Sequence, residues 1–190
     1  PVEHPSVRES ASRYFSGRVD VLPADGSGIV DPSILAPALD ATQVALVSVM
    51  AANNETGVVQ PWEKIAGMCR AHGIPFHCDA TQWVGKLPSS KFDACDDLSA
   101  SAHKFGGLKG VGVLKSPAEF SFIVGGEQEG GNRAGTETFP GVAAMLAALE
   151  ESESFVETPI LEKARNEFEE SLRASIPGIE VLGESVPRLW

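Results

Sequence analysis

Four apolar segments of strand length lie in the middle of the chain. The first, VALVSVM at 44–50, is almost continuously apolar, the pattern of a strand that is buried on both faces. Three further runs follow it: IPFHCDA at 74–80, DLSASAH at 97–103 and GVGVLKS at 110–116. We therefore predict four strands.

Segments of helical period lie between and around these strands. PWEKIAGMCRAHG at 61–73 places Pro61 in the first turn and Gly73 at the C′ position. Three more helices are predicted: DPSILAPAL at 31–39 with Asp31 as N-cap, GVAAMLAALEES at 141–152, and PILEKARNEFEESLRAS at 159–175. Strands that alternate with helices are typical of βαβ units. The predicted fold class is therefore α/β, with a mainly parallel sheet and helices on both faces.

Composition narrows the range of functions. The chain has 15 Lys and Arg against 26 Asp and Glu, a formal charge of −11, and contains no basic cluster longer than a pair. Nucleic acid is therefore not an expected partner. No apolar run approaches the roughly 18 residues of a membrane span, and the first residues lack the pattern of a signal peptide. The odd number of cysteines argues against a disulfide framework, so a cytoplasmic protein without membrane contact is predicted.

Polar groups follow the ends of the predicted strands, where open parallel sheets bind ligands. An acid that closes one strand and a lysine that closes another are the pair that pyridoxal phosphate requires. The lysine amine forms a Schiff base, and the carboxylate keeps the pyridine nitrogen protonated. Two solvated surface charges are the simpler alternative. The strand ends in question carry NNETG at 53–57, Asp79 with Gln82, SAHK at 101–104 and GGEQEGGNRAGT at 125–136.

A long run of the sequence resembles a known family. It reads VSVMAANNETGVVQPWEKIAGMCRAHGIPFHCDATQWVGKLP and is followed in order by SASAHK, KGVGVL and NRAGTETFPG. These segments resemble the cysteine desulfurases of the class V aminotransferase group, which are pyridoxal phosphate enzymes of fold type I. The resemblance covers about residues 1–150. It implies pyridoxal 5′-phosphate as cofactor and, in the complete enzyme, conversion of L-cysteine to L-alanine with the sulfur left as an enzyme-bound persulfide.

The resemblance also implies a role for each site residue. Lys104 would carry the cofactor and act as a general acid and base, and His4 would lie over the pyridine ring and assist catalysis. Asp79 would face the ring nitrogen, while Asn54 and Gln82 would hydrogen-bond the phenolic oxygen. The contacts to the cofactor phosphate would be Ser101 and His103, with Thr136 supplied by the neighbouring subunit of a homodimer.

Each of these assignments competes with an ordinary structural role. The alternatives are a surface position for His4, a turn residue for Asn54, packing at a strand-to-helix turn for Gln82, a backbone-bonded strand hydroxyl for Ser101 and a helix N-cap for Thr136. The glycines at 106, 107, 110 and 112 are predicted to allow tight backbone beside Lys104.

A zinc site is a further alternative, because Cys69, His72, His77 and Cys78 form a C-x2-H-x4-H-C cluster. His77 and Cys78 are neighbours in a predicted strand, so their side chains should point to opposite faces and all four ligands can hardly converge. We predict no metal and expect the sulfurs to be core or surface thiols.

Parts of the family pattern are missing from the chain. Cys69, Cys78 and Cys95 do not stand at the place of the family's nucleophilic cysteine, which lies on a loop well after the region of resemblance. The family's carboxylate-binding arginine and its phosphate-binding Gly-Thr loop are also missing. The glycine loop reads VGGEQEG where the family has His-Gly-Gly-Gly-Gln-Glu-Arg, and Gly107-Leu108-Lys109 replaces Gly-Pro-Lys.

The two ends of the chain indicate an internal piece of a longer protein. It starts at Pro1 without a methionine, and IEVLGESVPRLW at 179–190 is predicted to form a strand, a turn and the start of an apolar segment. Residues 1–152 are predicted to be the cofactor-binding core of the large domain. Residues 153–190 would begin an incomplete C-terminal small domain, with a hinge between 152 and 159.

The preferred function is that of a pyridoxal phosphate-dependent cysteine desulfurase-like enzyme. L-cysteine or a related amino acid would be its substrate, and a homodimer and a sulfur-acceptor protein are the expected partners. The 190-residue chain alone is expected to be inactive. Selenocysteine lyase, or another enzyme of the class V group, is the nearest alternative. A non-catalytic member that binds the cofactor or a partner protein is the alternative of a different class.

Overall fold

The computed structural model describes residues 1–41, 44–117, 121, 123–154, 156 and 159–190. No helix within these ranges has both the length and the apolar character needed to cross a membrane. The helices are α1 Pro5–Tyr14, α2 Pro32–Ala41, α3 Trp62–Ala71, α4 Phe139–Glu153 and α5 Pro159–Ser175. The strands are β1 Val47–Ser48, β2 Phe76–Asp79, β3 Asp97–Ser101 and β4 Gly112–Lys115. Short 3-10 helices cover Phe92–Ala94, Ala102–Lys104 and Gln128–Gly131.

The four strands form one sheet in the order β1-β2-β3-β4. The first three strands are parallel, with Asp79 of β2 in register with Ser99 of β3. β4 runs antiparallel to β3, and Ser101 pairs with Gly112. The connection between β3 and β4 is too short for the crossover that parallel strands require, so the chain turns back instead. The predicted α/β class with a mainly parallel sheet is confirmed.

Most predicted elements are found close to their predicted bounds. The helix predicted at 159–175 is α5, and Gly73 ends the α3 region with a φ of +67°. Asp31 caps α2, because its Oδ1 accepts a 2.8 Å hydrogen bond from the Ser33 amide. Pro61 lies at the N-cap of α3, one position before the predicted first turn.

The strand predicted at the start of IEVLGESVPRLW is wrong. Residues 179–182 belong to no strand and form no bridge with the described part of the chain. Pairing occurs later, where Arg188 forms an isolated antiparallel bridge with Val58. The last residues therefore pack against the loop that follows β1.

The core lies between the sheet and α2 and α3. Trp62 stacks on Phe92 with ring centroids 4.5 Å apart, and Trp83 meets both rings edge-on. The Trp83 indole donates a 3.0 Å hydrogen bond to the Pro88 carbonyl oxygen, which satisfies its polar atom. Trp83 lies in the segment after β2, so this cluster packs that segment against the start of α3.

Candidate cofactor site at the carboxyl edge of the sheet

Asp79 ends β2 and is buried, with 7% of its surface exposed. Its backbone carbonyl oxygen accepts a 2.9 Å hydrogen bond from the Ala51 amide, which extends the pairing of β1 with β2. The carboxylate Oδ1 accepts a 2.9 Å hydrogen bond from the Thr81 amide, and Oδ2 makes no hydrogen bond to any described residue. A carboxylate is therefore fixed at the strand end with one oxygen left for a ligand.

Lys104 ends the 3-10 turn that follows β3, the strand next to β2. The turn is closed by hydrogen bonds from the amides of Phe105 and Gly107 to the Ala102 carbonyl oxygen. A Cβ on Gly107 would lie 2.9 Å from the Ala102 Cβ, so only glycine fits there. This agrees with the predicted role of the glycines, and it leaves the Lys104 side chain exposed.

Lys86 lies beside Lys104 and was missed by the sequence analysis. Its Nζ donates a 3.1 Å hydrogen bond to the Lys104 carbonyl oxygen. Burial, followed by the charge of Lys104, lowers the pKa of Lys86. The sequence does contain one indication of this contact, which is the glycine just before Lys86. In the structure Gly85 has a φ of +76°, and a Cβ there would collide with Phe105. A glycine in VGKLP thus marks a close approach to the segment after Lys104.

A cavity of about 460 Å³ opens between the loop after β1 and the turn after β2. Asn54, Gln82 and Lys86 are among the residues that line it, and the predicted contact of Asn54 and Gln82 with the cofactor stays a prediction. Arg165, Arg188 and Trp190 close the far side. The carboxyl edge of a parallel sheet is the place where α/β folds bind ligands, but Asp79, Lys104 and His4 are not among the residues that line this cavity.

The two asparagines of NNETG differ in burial and in their contacts. Asn53 is buried, and its Oδ1 accepts hydrogen bonds from the amides of Glu55 and Thr56 at 2.9 and 2.8 Å. Asn54 is exposed and lines the cavity. Asn54 thus lies in the turn at 54–56, as its structural alternative has it, while Asn53 supplies the side-chain hydrogen bonds that hold this turn.

His4 is exposed and is the N-cap of α1. Its Nδ1 lies 3.2 Å from the Ser6 amide nitrogen, which donates to it, and 2.8 Å from the Ser6 hydroxyl. The residues before it reach the end of β1, because the Val2 carbonyl oxygen accepts a 2.9 Å hydrogen bond from Asn53. His4 therefore starts a helix next to the carboxyl edge, and its place over a cofactor ring stays a prediction.

Glu3 is the second group that the sequence analysis missed. One carboxylate oxygen accepts a hydrogen bond from the Met50 amide, and the other, Oε2, is buried with no hydrogen-bond partner among the described residues. Burial is the largest cause that raises the pKa of Glu3 to about 7, and the charge of Asp79 adds to it. No periodic pattern marks this residue, because its burial depends on contact with a strand end 47 residues later.

The three predicted phosphate contacts lie apart from the cavity lining. Ser101 is half-buried at the end of β3, and its hydroxyl makes no hydrogen bond to a described residue, contrary to the backbone-bonded alternative. His103 is exposed in the 3-10 turn. Thr136 is exposed and is not a helix cap, because the N-cap of α4 is Thr138. Their cofactor roles stay predictions.

The two histidines of the zinc alternative, His72 and His77, form hydrogen bonds with other residues. His77 bridges three strands, with Nδ1 2.8 Å from the Ser48 hydroxyl and Nε2 3.1 Å from the Ser99 hydroxyl. Burial is the main cause that lowers the pKa of His77. His72 contacts Asp40 and the Met68 carbonyl oxygen. Within the described ranges, no group of three or more potential ligands could hold a metal ion.

Solved structures share this architecture. A NifS-like protein from Rickettsia africae superposes with a TM-score of 0.91 at 27% identity, over 99% of this chain and 54% of that one. A second NifS-like protein gives a TM-score of 0.90 at 33% identity, over 100% of this chain and 54% of the other. A structure of SspA in complex with cysteine gives 0.70 at 32% identity, over 78% and 45%.

Curated relatives carry the name cysteine desulfurase. The protein of Sinorhizobium fredii is 41% identical over 197 residues, and that of Klebsiella pneumoniae is 40% identical over 195 residues. Each alignment covers 99% of this chain but only 51% and 49% of the relative. The chain thus spans about half the length of the curated relatives it matches.

The aminotransferase class-V profile matches residues 1–187, which is nearly the whole chain. The match confirms the predicted family group, and the NifS-like neighbours confirm the predicted fold type I architecture. Pyridoxal phosphate, the predicted cofactor, is the cofactor of this group. The chain belongs to the aminotransferase class-V family.

Proposed function

We propose that this chain is the cofactor-binding part of a pyridoxal phosphate-dependent cysteine desulfurase. The complete enzyme would convert L-cysteine to L-alanine and keep the sulfur as a persulfide on one of its own cysteines. One observation carries the proposal: the adjacent parallel strands β2 and β3 lead to a buried carboxylate, Asp79, and to an exposed amine, Lys104. Relatives named cysteine desulfurase and the cysteine complex of SspA support the choice of substrate.

The residues present fit pyridoxal phosphate. Asp79 keeps Oδ2 free of described protein partners and is held rigidly by the strand and by the Thr81 amide. Asn54 and Gln82 add amide groups from the neighbouring cavity, whose lining includes neither Asp79 nor Lys104. When bound, pyridoxal phosphate supplies an electron sink for the bond that breaks at the substrate Cα.

The chain's own residues have separate tasks in this proposal. Asp79 holds a proton at the ring nitrogen, and its burial strengthens that ion pair. Lys104 provides the amine that binds the cofactor and then moves a proton at the substrate Cα. Asn54 and Gln82 orient the ring through its phenolic oxygen, and His4 covers one ring face. The Ser101 hydroxyl and the His103 ring, next to the turn that holds Lys104, bind the phosphate.

The thiols of this chain are poorly placed to take the sulfur. Cys69 and Cys78 have no exposed surface, and Cys95 has 2%. Burial raises the pKa of Cys69 to about 11 and also raises the pKa of Cys78. Contact with Cys78 and, less strongly, the charge of Lys115 lower the pKa of Cys95, but the sulfur is enclosed. Sulfur transfer therefore requires a thiolate from elsewhere in the protein.

Three further features belong to the proposal. Thr136, exposed and unused as a cap, would reach the phosphate of a second subunit, so the enzyme would be a homodimer. A sulfur-acceptor protein would then accept the persulfide sulfur.

Residues 1–152 would form the core and residues 153–190 the start of a smaller domain. This boundary falls in the last turn of α4. Positions 155, 157 and 158, which follow it, lie outside the described residues. Three free, buried cysteines favour the reducing cytoplasm.

The experiment that tests this function measures alanine and persulfide formation from L-cysteine by the full-length protein. We expect Lys104→Ala to lower turnover by a factor on the order of 10³ or more. Asp79→Asn should lower it by a similar factor while the cofactor stays bound, because a neutral amide cannot keep the ring nitrogen protonated. Lys109→Ala, at another exposed lysine, is the control. Wild-type turnover in Lys104→Ala would overturn the proposal.

A further inference from the structure

The first four residues are fastened to the carboxyl end of β1 by two hydrogen bonds. The Asn53 side-chain amide donates a 2.9 Å hydrogen bond to the Val2 carbonyl oxygen. The Met50 amide donates to the carboxylate of Glu3. Met50 and Asn53 lie on the segment that leads directly to Asn54, a residue of the candidate site. The residue that follows these two anchors is His4.

The Glu3 anchor is unusual because it uses a carboxyl group that is largely removed from water. Its Oε2 is buried and accepts no hydrogen bond within the described part of the chain. Asp79 and the thiol of Cys78 face it from β2, and the amine of Pro1 faces it from its own segment. Because burial and the charge of Asp79 favour the neutral carboxyl, its pKa is raised to about 7.

An ordinary surface contact would not place a carboxyl in this environment. A buried carboxyl with one unsatisfied oxygen costs stability, so the position invites a role that an apolar residue could not perform. The Glu3 side chain can perform such a role. Its Oε1 accepts the hydrogen bond of the Met50 amide and so joins the segment that carries His4 to the backbone that follows β1.

We propose that Glu3 is a positioning residue for His4, whose side chain fixes residues 2–4 against the end of β1 and so sets where the His4 ring stands over the cofactor. This inference rests on the proposed function, because it takes Asp79 and Lys104 as the groups that hold pyridoxal phosphate. Glu3 itself does not touch the reacting atoms in this account.

The test variants separate two properties of the Glu3 side chain, which are its hydrogen-bond acceptor and its ability to ionise. Glu3→Gln keeps the acceptor for the Met50 amide and cannot ionise, so it should preserve the anchor. Glu3→Ala removes the acceptor. Glu3→Asp keeps a carboxyl but is one methylene too short, and it replaces Glu3→Ala if that variant does not fold. His4→Ala removes the ring, and the double variant completes a thermodynamic cycle.

The test measures pyridoxal phosphate affinity and the circular dichroism of the bound cofactor in the full-length protein. We expect Glu3→Ala to weaken cofactor binding about tenfold, the usual cost of losing one well-placed hydrogen bond. His4→Ala should weaken it similarly, and the double variant should be no weaker than His4→Ala. Glu3→Gln should bind within about threefold of wild type and keep its dichroism.

Two results would overturn the inference. One is additive losses in the double variant, which would mean that Glu3 acts independently of His4. The other is unchanged affinity and dichroism in Glu3→Ala. The covalent attachment of the cofactor to Lys104 in the wild-type protein is measured in the same samples. If that attachment is absent, the proposed function fails; if it is present while the cycle is additive, only the role of Glu3 fails.

Discussion

The Lys86 side chain donates a 3.1 Å hydrogen bond to the main-chain carbonyl oxygen of Lys104. The bond joins the turn after β2 to the turn after β3, so the two strand ends that carry the candidate site are tied directly to each other. Burial of Lys86 is the main cause that lowers its pKa, and the nearby charge of Lys104 adds to it. Lys86 is thus part of the support of Lys104.

Removing the Lys86 amine should loosen the Lys104 turn. Lys86→Met keeps the apolar stem but loses the hydrogen bond, so we expect the free energy of unfolding to fall by about 1 kcal/mol. Urea denaturation measures this change. Lys109→Met, at an exposed lysine in the following loop, should change it by less than about 0.5 kcal/mol. Equal stability of Lys86→Met and wild type would show that the bond contributes nothing.

Glu3 should make the stability of the protein depend on pH. Its folded pKa of about 7 lies above the ordinary value of 4.5, so the folded state binds more protons between these two values. The contribution of Glu3 to stability is therefore fully present below pH 4.5 and is lost as the pH rises to about 7. Glu3→Gln should remove this slope and exceed wild type above pH 7 by up to about 3 kcal/mol.

The measurement for Glu3 is a series of thermal unfolding curves from pH 4.5 to 8 on both proteins. The difference in Tm between Glu3→Gln and wild type should grow over this range and then level off. A difference that is constant with pH would mean that Glu3 is ionised throughout and that its burial does not govern its charge.

Sequence patterns located Asp79 and Lys104 at strand ends, where parallel sheets bind ligands, but their roles came from the resemblance to cysteine desulfurases and stay predictions. Local signals also located α5 and the glycine that follows α3. The first helix, α1, was missed because its segment is mostly polar and exposes nearly all of its side chains.

The supporting residues could not be predicted by the same means. Their properties come from partners that are distant in sequence. The hydrogen-bond partner of Glu3 is 47 residues away and that of Lys86 is 18 residues away. His77 contacts serines 29 and 22 residues away. Periodicity reports only which side of its own element a residue faces. The environment of these three groups depends on which strands are neighbours, and that is a property of the assembled sheet.

His77 should matter for stability because it satisfies hydroxyls on both neighbouring strands. His77→Leu would leave the Ser48 and Ser99 hydroxyls half-buried without their partner, so we expect a loss of about 2–4 kcal/mol. His103→Leu, at an exposed histidine, is the matched control when both variants are denatured without the cofactor, so that the proposed phosphate contact of His103 does not enter the comparison. A loss below about 0.5 kcal/mol in His77→Leu would mean that the cross-strand bridge is energetically silent.

The cysteines of this chain should be dispensable for sulfur transfer. We expect the simultaneous change of Cys69, Cys78 and Cys95 to Ala to keep persulfide formation by the full-length protein within a few-fold of wild type. The reason is their burial in the core, which keeps all three sulfurs from solvent. Loss of persulfide formation in a folded, cofactor-loaded triple variant would identify one of them as the nucleophile.

The central claim is that Lys104, at the end of the strand next to Asp79, carries the cofactor. The most direct test loads the full-length protein with pyridoxal phosphate, reduces the linkage with borohydride and locates the added mass by peptide mass spectrometry. The account predicts the modification on Lys104 in the wild-type protein and its absence in Lys104→Ala. Modification of Lys86 or of another lysine in the wild-type protein, with Lys104 unmodified, would contradict it.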